Sequence, residues 1–308
     1  MSSPTAVNQQ KIVPHLWFTH DARAAAEFYT SVFPGGKITG VSRYPGAGLP
    51  DFLQGLAGQE LAFDFEVLGC RFAAINGGEA PFKPNPSVSF TITCGSAGEV
   101  DALWDRLSEG GAELMPLGSY PFSERYGWVQ DRFGISWQLL FSSDAEQHQQ
   151  RVAPALMFTG ENTGQAEQAM RFYMGIFPES RFDGDIGRYQ PDAVPEAGMA
   201  GMVSSAAFRL AGQRFLAMDS GWQHDFTFNE AVSFLIRCAD QNEIDTYWEA
   251  LSADPAAERC GWLKDRYGLS WQVVPGNLSE LLQNPDGSTN AEAFAAFLQM
   301  SKIDLAAF

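Results

Sequence analysis

A motif of eleven residues that ends in a glutamine occurs twice in the chain, at residues 128–138 and 262–272. Both occurrences fit the pattern W-x-x-D-R-[FY]-G-[IL]-S-W-Q. After the turn, alternation along a strand places Ser136 and Gln138 on one face of a sheet and Trp137 on the other. A hydroxyl and an amide on one face can orient a bound ligand or complete a metal site, so the motif predicts one of these two chemistries.

The middle of the motif is typical of structure. Asp131 and Gly134 occupy the first and fourth positions of a four-residue segment, as in a type I turn between antiparallel strands. We expect Trp137→Ala to cost about 3–5 kcal/mol, because this side chain packs under a helix. Loss of Gln138 is expected to cost little stability if the amide serves a ligand.

Other reactive patterns are absent from the sequence. The four cysteines show no C-x-x-C spacing, and no serine lies in a G-x-S-x-G turn. His20, His148 and His224 fall in loop or linker contexts. We therefore expect neither a structural disulfide nor a zinc site, and we predict no cofactor.

Composition limits the classes of partner. The chain has 308 residues, 45% of them hydrophobic, and a formal charge of -17. This charge repels phosphate backbones and anionic lipid surfaces, so we expect no nucleic acid and no membrane partner. No run of eighteen apolar residues and no signal peptide is present in the sequence, so a cytoplasmic protein is the expectation.

An internal repeat organises the chain. Residues 88–107 and 232–251 share nine of twenty positions, and residues 128–140 and 262–274 share seven of thirteen. The blocks recur in the same order, which indicates the duplication of a whole domain. We predict two domains at 10–142 and 152–276, a linker at 143–151, and a helical tail at 277–308 that packs on the second domain.

Each copy contains the order strand, helix and three strands twice. After a strand at residues 12–18, apolar residues at helical spacing predict a helix that ends before Pro34. One helix covers only one face of such a sheet, so we expect two of these units to close around a cleft. In the first strand, alternation places His15 and Trp17 on the cleft face, where the second copy has Ala155 and Met157.

The order of elements and segments such as VSFTITC and WVQDRFGISWQ resemble the vicinal oxygen chelate superfamily of glyoxalases, bleomycin-resistance proteins and dioxygenases. The sequence of these segments is similar to that of the PhnB-like branch, whose members are often named 3-demethylubiquinone-9 3-methyltransferase. The resemblance implies an α+β fold in which each copy's two βαβββ modules form a curved mixed sheet around a cleft. The sequence contains no glycine-rich turn after a strand that would bind S-adenosylmethionine in the usual way.

The resemblance also implies four positions for metal ligands in each module pair. They fall at His15 on the first strand, Ala74 and Ala217 or Met218 on the fourth, Ser87 and Ala231 on the fifth, and Gln138 and Gln272 on the eighth. Because amide oxygens bind transition metals weakly, we predict that no metal is bound. Among these positions, His15 and Gln138 are the candidate metal donors. Ligand contacts are predicted for a larger set, namely His15, Trp17, Ser87, Trp128, Ser136, Gln138, Met157, Trp262 and Gln272.

Two functions remain open. The first is a metal-free protein that binds a small molecule and is not a true methyltransferase. The alternative is a metal-dependent lyase, isomerase or dioxygenase, in which His15, Gln138 and Glu66 or Asp64 hold an ion in the first domain. The second copy is expected either to bind a ligand or to serve a structural role, and a homodimer is a further possibility.

Overall fold

A computed structural model describes residues 10–191 and 198–308, without the side chain of Phe52. The first copy contains two helices and eight strands: β1 (Ile12–Phe18), α1 (Ala22–Val32), β2 (Lys37–Arg43), β3 (Glu60–Val67), β4 (Cys70–Asn76), β5 (Val88–Cys94), α2 (Ala97–Leu107), β6 (Ala112–Tyr120), β7 (Ser123–Gln130) and β8 (Ser136–Phe141).

The second copy departs from the predicted order, because four strands follow its first helix and two follow its second. Its elements are β9 (Val152–Phe158), α3 (Ala166–Ile176), β10 (Arg181–Phe182), β11 (Gly187–Arg188), β12 (Val203–Leu210), β13 (Gln213–Asp219), β14 (Val232–Cys238), α4 (Gln241–Leu251), β15 (Trp262–Lys264) and β16 (Ser270–Pro275). The tail adds α5 (Leu278–Leu281) and α6 (Ala291–Gln299). Within the described residues, no helix is long and apolar enough to cross a membrane.

The predicted α+β fold of duplicated modules in curved mixed sheets is confirmed, but the modules combine differently from the expectation. Sheet A has the strand order β15-β16-β14-β1-β4-β3-β2, and sheet B joins β5 to β8 with β9 to β13. Each sheet therefore unites one module of the first copy with one of the second. The two copies thus exchange modules, because β1 pairs antiparallel with β14 and β5 pairs antiparallel with β9.

The helices α1 and α3 lie between the two sheets, because each packs on one sheet and contacts a tryptophan of the other. Tyr29 of α1 and Phe33, the residue after this helix, contact the ring of Trp137, which is fully buried. In the second copy, Tyr173 of α3 makes the same contact with Trp271. Burial of such aromatic side chains contributes most of the stability of a core of this kind. The opposite, concave face of each sheet carries the side chains that alternate with these buried ones, and we name it cleft A on sheet A and cleft B on sheet B.

The turn of the repeated motif is structural, as predicted. The Asp131 carboxylate accepts hydrogen bonds from the Tyr29 hydroxyl and the Trp137 indole, each at 2.8 Å, and from the amides of Phe133 and Ile135. Asp265 accepts the corresponding four bonds in the second copy. Burial raises the pKa of Asp265 to about 6, against the opposite effect of its four donors. Each aspartate joins a turn to a helix and a strand.

The tail contacts the second domain, where we expected it to pack, and also the first copy. The Thr289 hydroxyl donates to the carbonyl of Arg43 at the end of β2, at 2.6 Å. Near the other end of α6, the amide of Cys260 donates to the carbonyl of Met300 at 2.7 Å, just before β15. Because β2 and β15 are the two edge strands of sheet A, the tail links the edges of this sheet.

Candidate functional site

Cleft A contains the only predicted imidazole. His15 lies on β1 opposite Ser233 of β14, and its ring meets that of Trp262 edge to face, with centroids 5.5 Å apart. Trp17 follows on the same face and contacts Trp262 at 5.8 Å. Gln272 lies opposite Trp262. Residues of the first and fourth modules thus meet at one site.

His15 is buried without a hydrogen-bonding partner for one of its ring nitrogens. The residue is 5% exposed, and Nδ1 makes no hydrogen bond within the described part of the chain. Desolvation lowers the pKa of His15 from 6.5 to about 3. The imidazole is therefore neutral near pH 7, with one nitrogen that donates and one that accepts.

The tryptophan wall of cleft A depends on a glycine. The Trp17 indole donates to the carbonyl of Gly78 at 3.1 Å and lies over Gly77. A Cβ atom at Gly77 would come within 2.1 Å of the Trp17 ring. Gly77 is therefore needed for the close approach that fixes this indole beside His15.

In cleft B, the central polar side chain is that of Gln138, whereas in cleft A it is that of His15. The Gln138 amide donates to Ser89 at 2.8 Å and accepts from the Tyr126 hydroxyl at 2.9 Å. Thr91, Ser136 and Trp128 lie around it on three adjacent strands. Their side-chain polar atoms are buried and have no partner among the described residues. Loss of Gln138 would leave Ser89 and Tyr126 without these partners, so we predict a larger stability cost than the ligand role alone implies.

The predicted site residues fall into two groups. His15, Trp17, Trp262 and Gln272 line cleft A. Ser87, Trp128, Ser136, Gln138 and Met157 line cleft B, where the carbonyl of Ser87 accepts from the amide of Met157 at 2.8 Å. The predicted pairing of His15 with Gln138 around one ion is wrong, because the two residues lie on different sheets.

The donor set does not fit a divalent metal in either cleft. Among the described residues of cleft A, Gln272 is the glutamine near His15, and its amide nitrogen donates to the Ser233 hydroxyl at 3.0 Å. Ala74 and Ala217 face the helices, because they pair with the buried Leu16 and Leu156. Within residues 10–191 and 198–308, no group of three His, Cys, Asp or Glu side chains is arranged to hold an ion.

The acids named as further metal donors also lie apart from His15. Asp64 and Glu66 belong to β3, which β4 separates from β1. The Glu66 carboxylate pairs with Lys37 at 3.5 Å, and Asp64 is exposed. His15 and Asp64 both pair with Ala73, so they lie in one row on the same face of sheet A with one strand between them.

A separate hollow of about 390 Å³ lies outside both clefts, between α1 and α2. It is open to solvent and is lined by Ala24, Glu27, Phe28, Ser31, Arg106, Glu109 and Arg132. The Arg132 guanidinium stacks on Phe28 there, at 4.1 Å from the ring centroid. This contact gives the arginine of the repeated motif a packing role.

Paired βαβββ modules, curved mixed sheets and polar groups on the concave faces define a protein of the vicinal oxygen chelate class. Within that class, the chain belongs to the family described as 3-demethylubiquinone-9 3-methyltransferase. The model of this family matches residues 10–140 and 150–274, once in each copy.

Several solved structures are similar to the chain. The PhnB protein of Bacillus cereus is 36% identical, with 43% of this chain and all of that protein covered and a TM-score of 0.39. Glyoxalase I from Zea mays is 11% identical, with 79% and 81% covered and a TM-score of 0.46. A glyoxalase-related enzyme from Fulvimarina pelagi is 18% identical, with 43% and 88% covered and a TM-score of 0.30. A comparison with curated proteins finds no match.

Proposed function

We propose that the protein binds a small, partly aromatic molecule in cleft A and holds it without a metal ion. The observation that carries this proposal is the buried Nδ1 atom of His15, which has no partner in the described structure. An unsatisfied buried polar atom costs about 1–3 kcal/mol, so such atoms mark places where a ligand or water completes a hydrogen bond.

The surroundings of His15 favour an aromatic ligand. Trp17 and Trp262 present ring edges and faces beside the imidazole, and Phe82 contacts Trp17 at 5.5 Å. Aromatic pairs of this geometry contribute about 0.5–1.5 kcal/mol each beyond area burial. A phenol or aromatic alcohol would place its ring against the indoles and its hydroxyl on the neutral imidazole.

Gln272 supports the same ligand class. Its amide nitrogen is committed to Ser233, whereas its carbonyl oxygen accepts no bond from any described group. The cleft therefore offers an amide acceptor near an imidazole, which is suited to an uncharged hydroxyl group. This polarity is the reason that we prefer a neutral ligand to an anion.

Methyl transfer is not part of this proposal. The glycine cluster of Gly46 and Gly48 lies between β2 and the short 3-10 helix Asp51–Leu56, so it does not join a buried parallel strand to an α-helix. A metal-dependent lyase, isomerase or dioxygenase would need donors beyond His15, and no observation in either cleft favours that alternative. Location in the cytoplasm and a homodimer stay predictions.

Ligand-observed NMR tests the proposal. Protein purified without a histidine tag is mixed with phenol, catechol, benzyl alcohol and cyclohexanol, and saturation transfer is recorded. We expect transfer to the aromatic compounds, its loss in His15→Leu, and its retention in His20→Leu, which changes an exposed histidine. Equal transfer in wild type and His15→Leu would refute a site at His15.

A further inference from the structure

Ser220 and His224 form a pair just after the end of β13, outside the repeated motif of either copy. The Ser220 Oγ atom lies 2.7 Å from His224 Nε2. Ser220 is 6% exposed, and its backbone is fixed on both sides. Its amide donates to the carbonyl of Phe158 at 2.9 Å, and its own carbonyl accepts from the Thr163 hydroxyl at 3.0 Å. The serine is therefore held in one position next to an imidazole.

The Ser220 side chain points toward cleft B. Gly77 is its counterpart in the first copy, since both amides donate to the last residue of the neighbouring strand, Phe18 or Phe158, at 2.9 Å. A Cβ atom on Gly77 would point at Trp17 on the cleft A face. By the same geometry, Ser220 points at the end of cleft B beside Met157, the counterpart of Trp17.

The imidazole of His224 is suited to accept a proton. Its ring lies tilted against that of Phe226, with centroids 4.7 Å apart. Burial lowers the pKa of His224 below its usual value, while the Asp225 carboxylate has the opposite effect. A neutral imidazole accepts the hydrogen bond of a serine hydroxyl, as a general base does before nucleophilic attack.

Two backbone donors follow the serine. The amides of Gly221 and Trp222 make no hydrogen bond to any described residue. In acyl transfer, the amide after the nucleophile commonly stabilises the oxyanion. Gly221 has little freedom to change, because a Cβ atom there would come within 2.3 Å of the Met199 side chain.

The fold does not require this pair. The first copy makes the same connection between sheets with Gly77, and it has no histidine between Gly77 and Val88. Both connections are held by equivalent amides, since Asn85 bonds the carbonyl of Thr227 and Asn229 bonds that of Lys83. The first copy forms the same connection without a serine and a histidine, so the connection itself does not explain why Ser220 and His224 are present.

We propose that Ser220 and His224 form an acyl-transfer dyad that hydrolyses carboxylic esters with a small apolar acyl group placed beside Met157. Ser220 Oγ bonds the ester carbonyl carbon while His224 Nε2 takes the hydroxyl proton. The bond from this carbon to the alcohol oxygen then breaks, and the alcohol leaves with that proton. Water next attacks the acyl-serine, His224 takes a proton from the water and returns it to Ser220, and the acid is released.

Labelling and hydrolysis test the dyad in the full chain. Wild-type protein is treated with an ethoxy fluorophosphonate and digested, and the modified peptide is located by mass spectrometry. Hydrolysis of p-nitrophenyl acetate is measured in parallel. We expect label on Ser220 and an ester hydrolysis rate that falls at least about 100-fold in Ser220→Ala and in His224→Gln.

Matched variants separate catalysis from folding. His148→Gln changes a histidine whose Nε2 contacts a carbonyl at 2.8 Å, and Ser205→Ala changes an exposed serine of β12. Both are expected to keep the wild-type rate, and all variants are checked by circular dichroism. Absence of label from Ser220, or an undiminished rate in folded Ser220→Ala and His224→Gln, would overturn the proposal. Because the dyad lies at cleft B, its failure leaves the ligand test at His15 unaffected.

Discussion

The His15 imidazole and the Trp262 indole meet edge to face at an interplanar angle of 89°, although they belong to different copies of the repeat. The contact exists because β1 of the first module and β15 of the last module lie in the same sheet. It follows that neither copy by itself contains a complete cleft. We therefore predict that both copies contribute residues to any ligand site in cleft A.

The exchange of modules predicts which strands can be cross-linked. Val13 lies directly opposite Leu235, a pair whose Cα atoms are about 5.5 Å apart in such a ladder, within the range of a disulfide. We expect Val13→Cys/Leu235→Cys to form a disulfide under mild oxidation, detected by mass spectrometry of the digested protein.

The matched control places the second cysteine at Thr91, which is the counterpart of Leu235 in the first copy. Val13 would face Thr91 if each copy closed its own sheet. We expect Val13→Cys/Thr91→Cys to stay reduced. The opposite pattern of cross-links would show that the copies form separate sheets.

Adjacent residues of β8 are predicted to differ in their stability cost. Trp137→Ala removes a fully buried indole between α1 and the sheet, and we expect a loss of about 3–5 kcal/mol in the free energy of unfolding. Gln138→Ala removes two hydrogen bonds and is expected to cost about 1–3 kcal/mol. Urea unfolding measures both, and equal costs would contradict the assignment of opposite faces.

The buried imidazole predicts a specific dependence of stability on pH. His15 has a folded pKa of about 3 and an unfolded pKa of about 6.5, so the unfolded state binds the proton first as the pH falls. The contribution of His15 to the free energy of unfolding is therefore fully present above pH 6.5 and is lost toward pH 3. About 3 kcal/mol of it is lost between pH 7 and pH 4. We expect His15→Leu to unfold with a shallower pH profile in urea, while His20→Leu keeps the wild-type profile.

The tail is expected to protect the edge of sheet A. The amides of Cys260 and Gly261 donate to carbonyls of the tail, each at 2.7 Å, and Phe294 anchors α6 on Tyr44. Phe294→Ala should therefore speed hydrogen exchange at these two amides, because it weakens the docking of α6. Glu292→Ala changes an exposed residue of the same helix and should leave the exchange unchanged. Equal exchange in both variants would contradict a link across the sheet.

Much of the fold follows from local patterns. The strand predicted at residues 12–18 and the helix predicted before Pro34 are observed as β1 and α1. The turn after Asp131 forms as its residue types predict. Such features depend on neighbours in sequence, where spacing and turn chemistry are visible.

The combination of modules and the dyad could not be predicted in this way. The sequence shows that β1 and β14 each have one face for a helix, but it does not show which strand lies beside which. Ser220 and His224 are four residues apart in a loop, a spacing that is typical of a pair only in a helix. The bond from Tyr126 to Gln138 was missed for a similar reason, because it joins separate strands.

The central claim is that cleft A holds an organic ligand at His15 without a metal ion. Crystals of the protein purified without a tag would test it most directly, with anomalous data collected at the absorption edges of iron, nickel and zinc. We expect no anomalous peak near His15, and density for water or an organic group within hydrogen-bond distance of its Nδ1 atom. An anomalous peak bonded to the His15 imidazole would contradict the account.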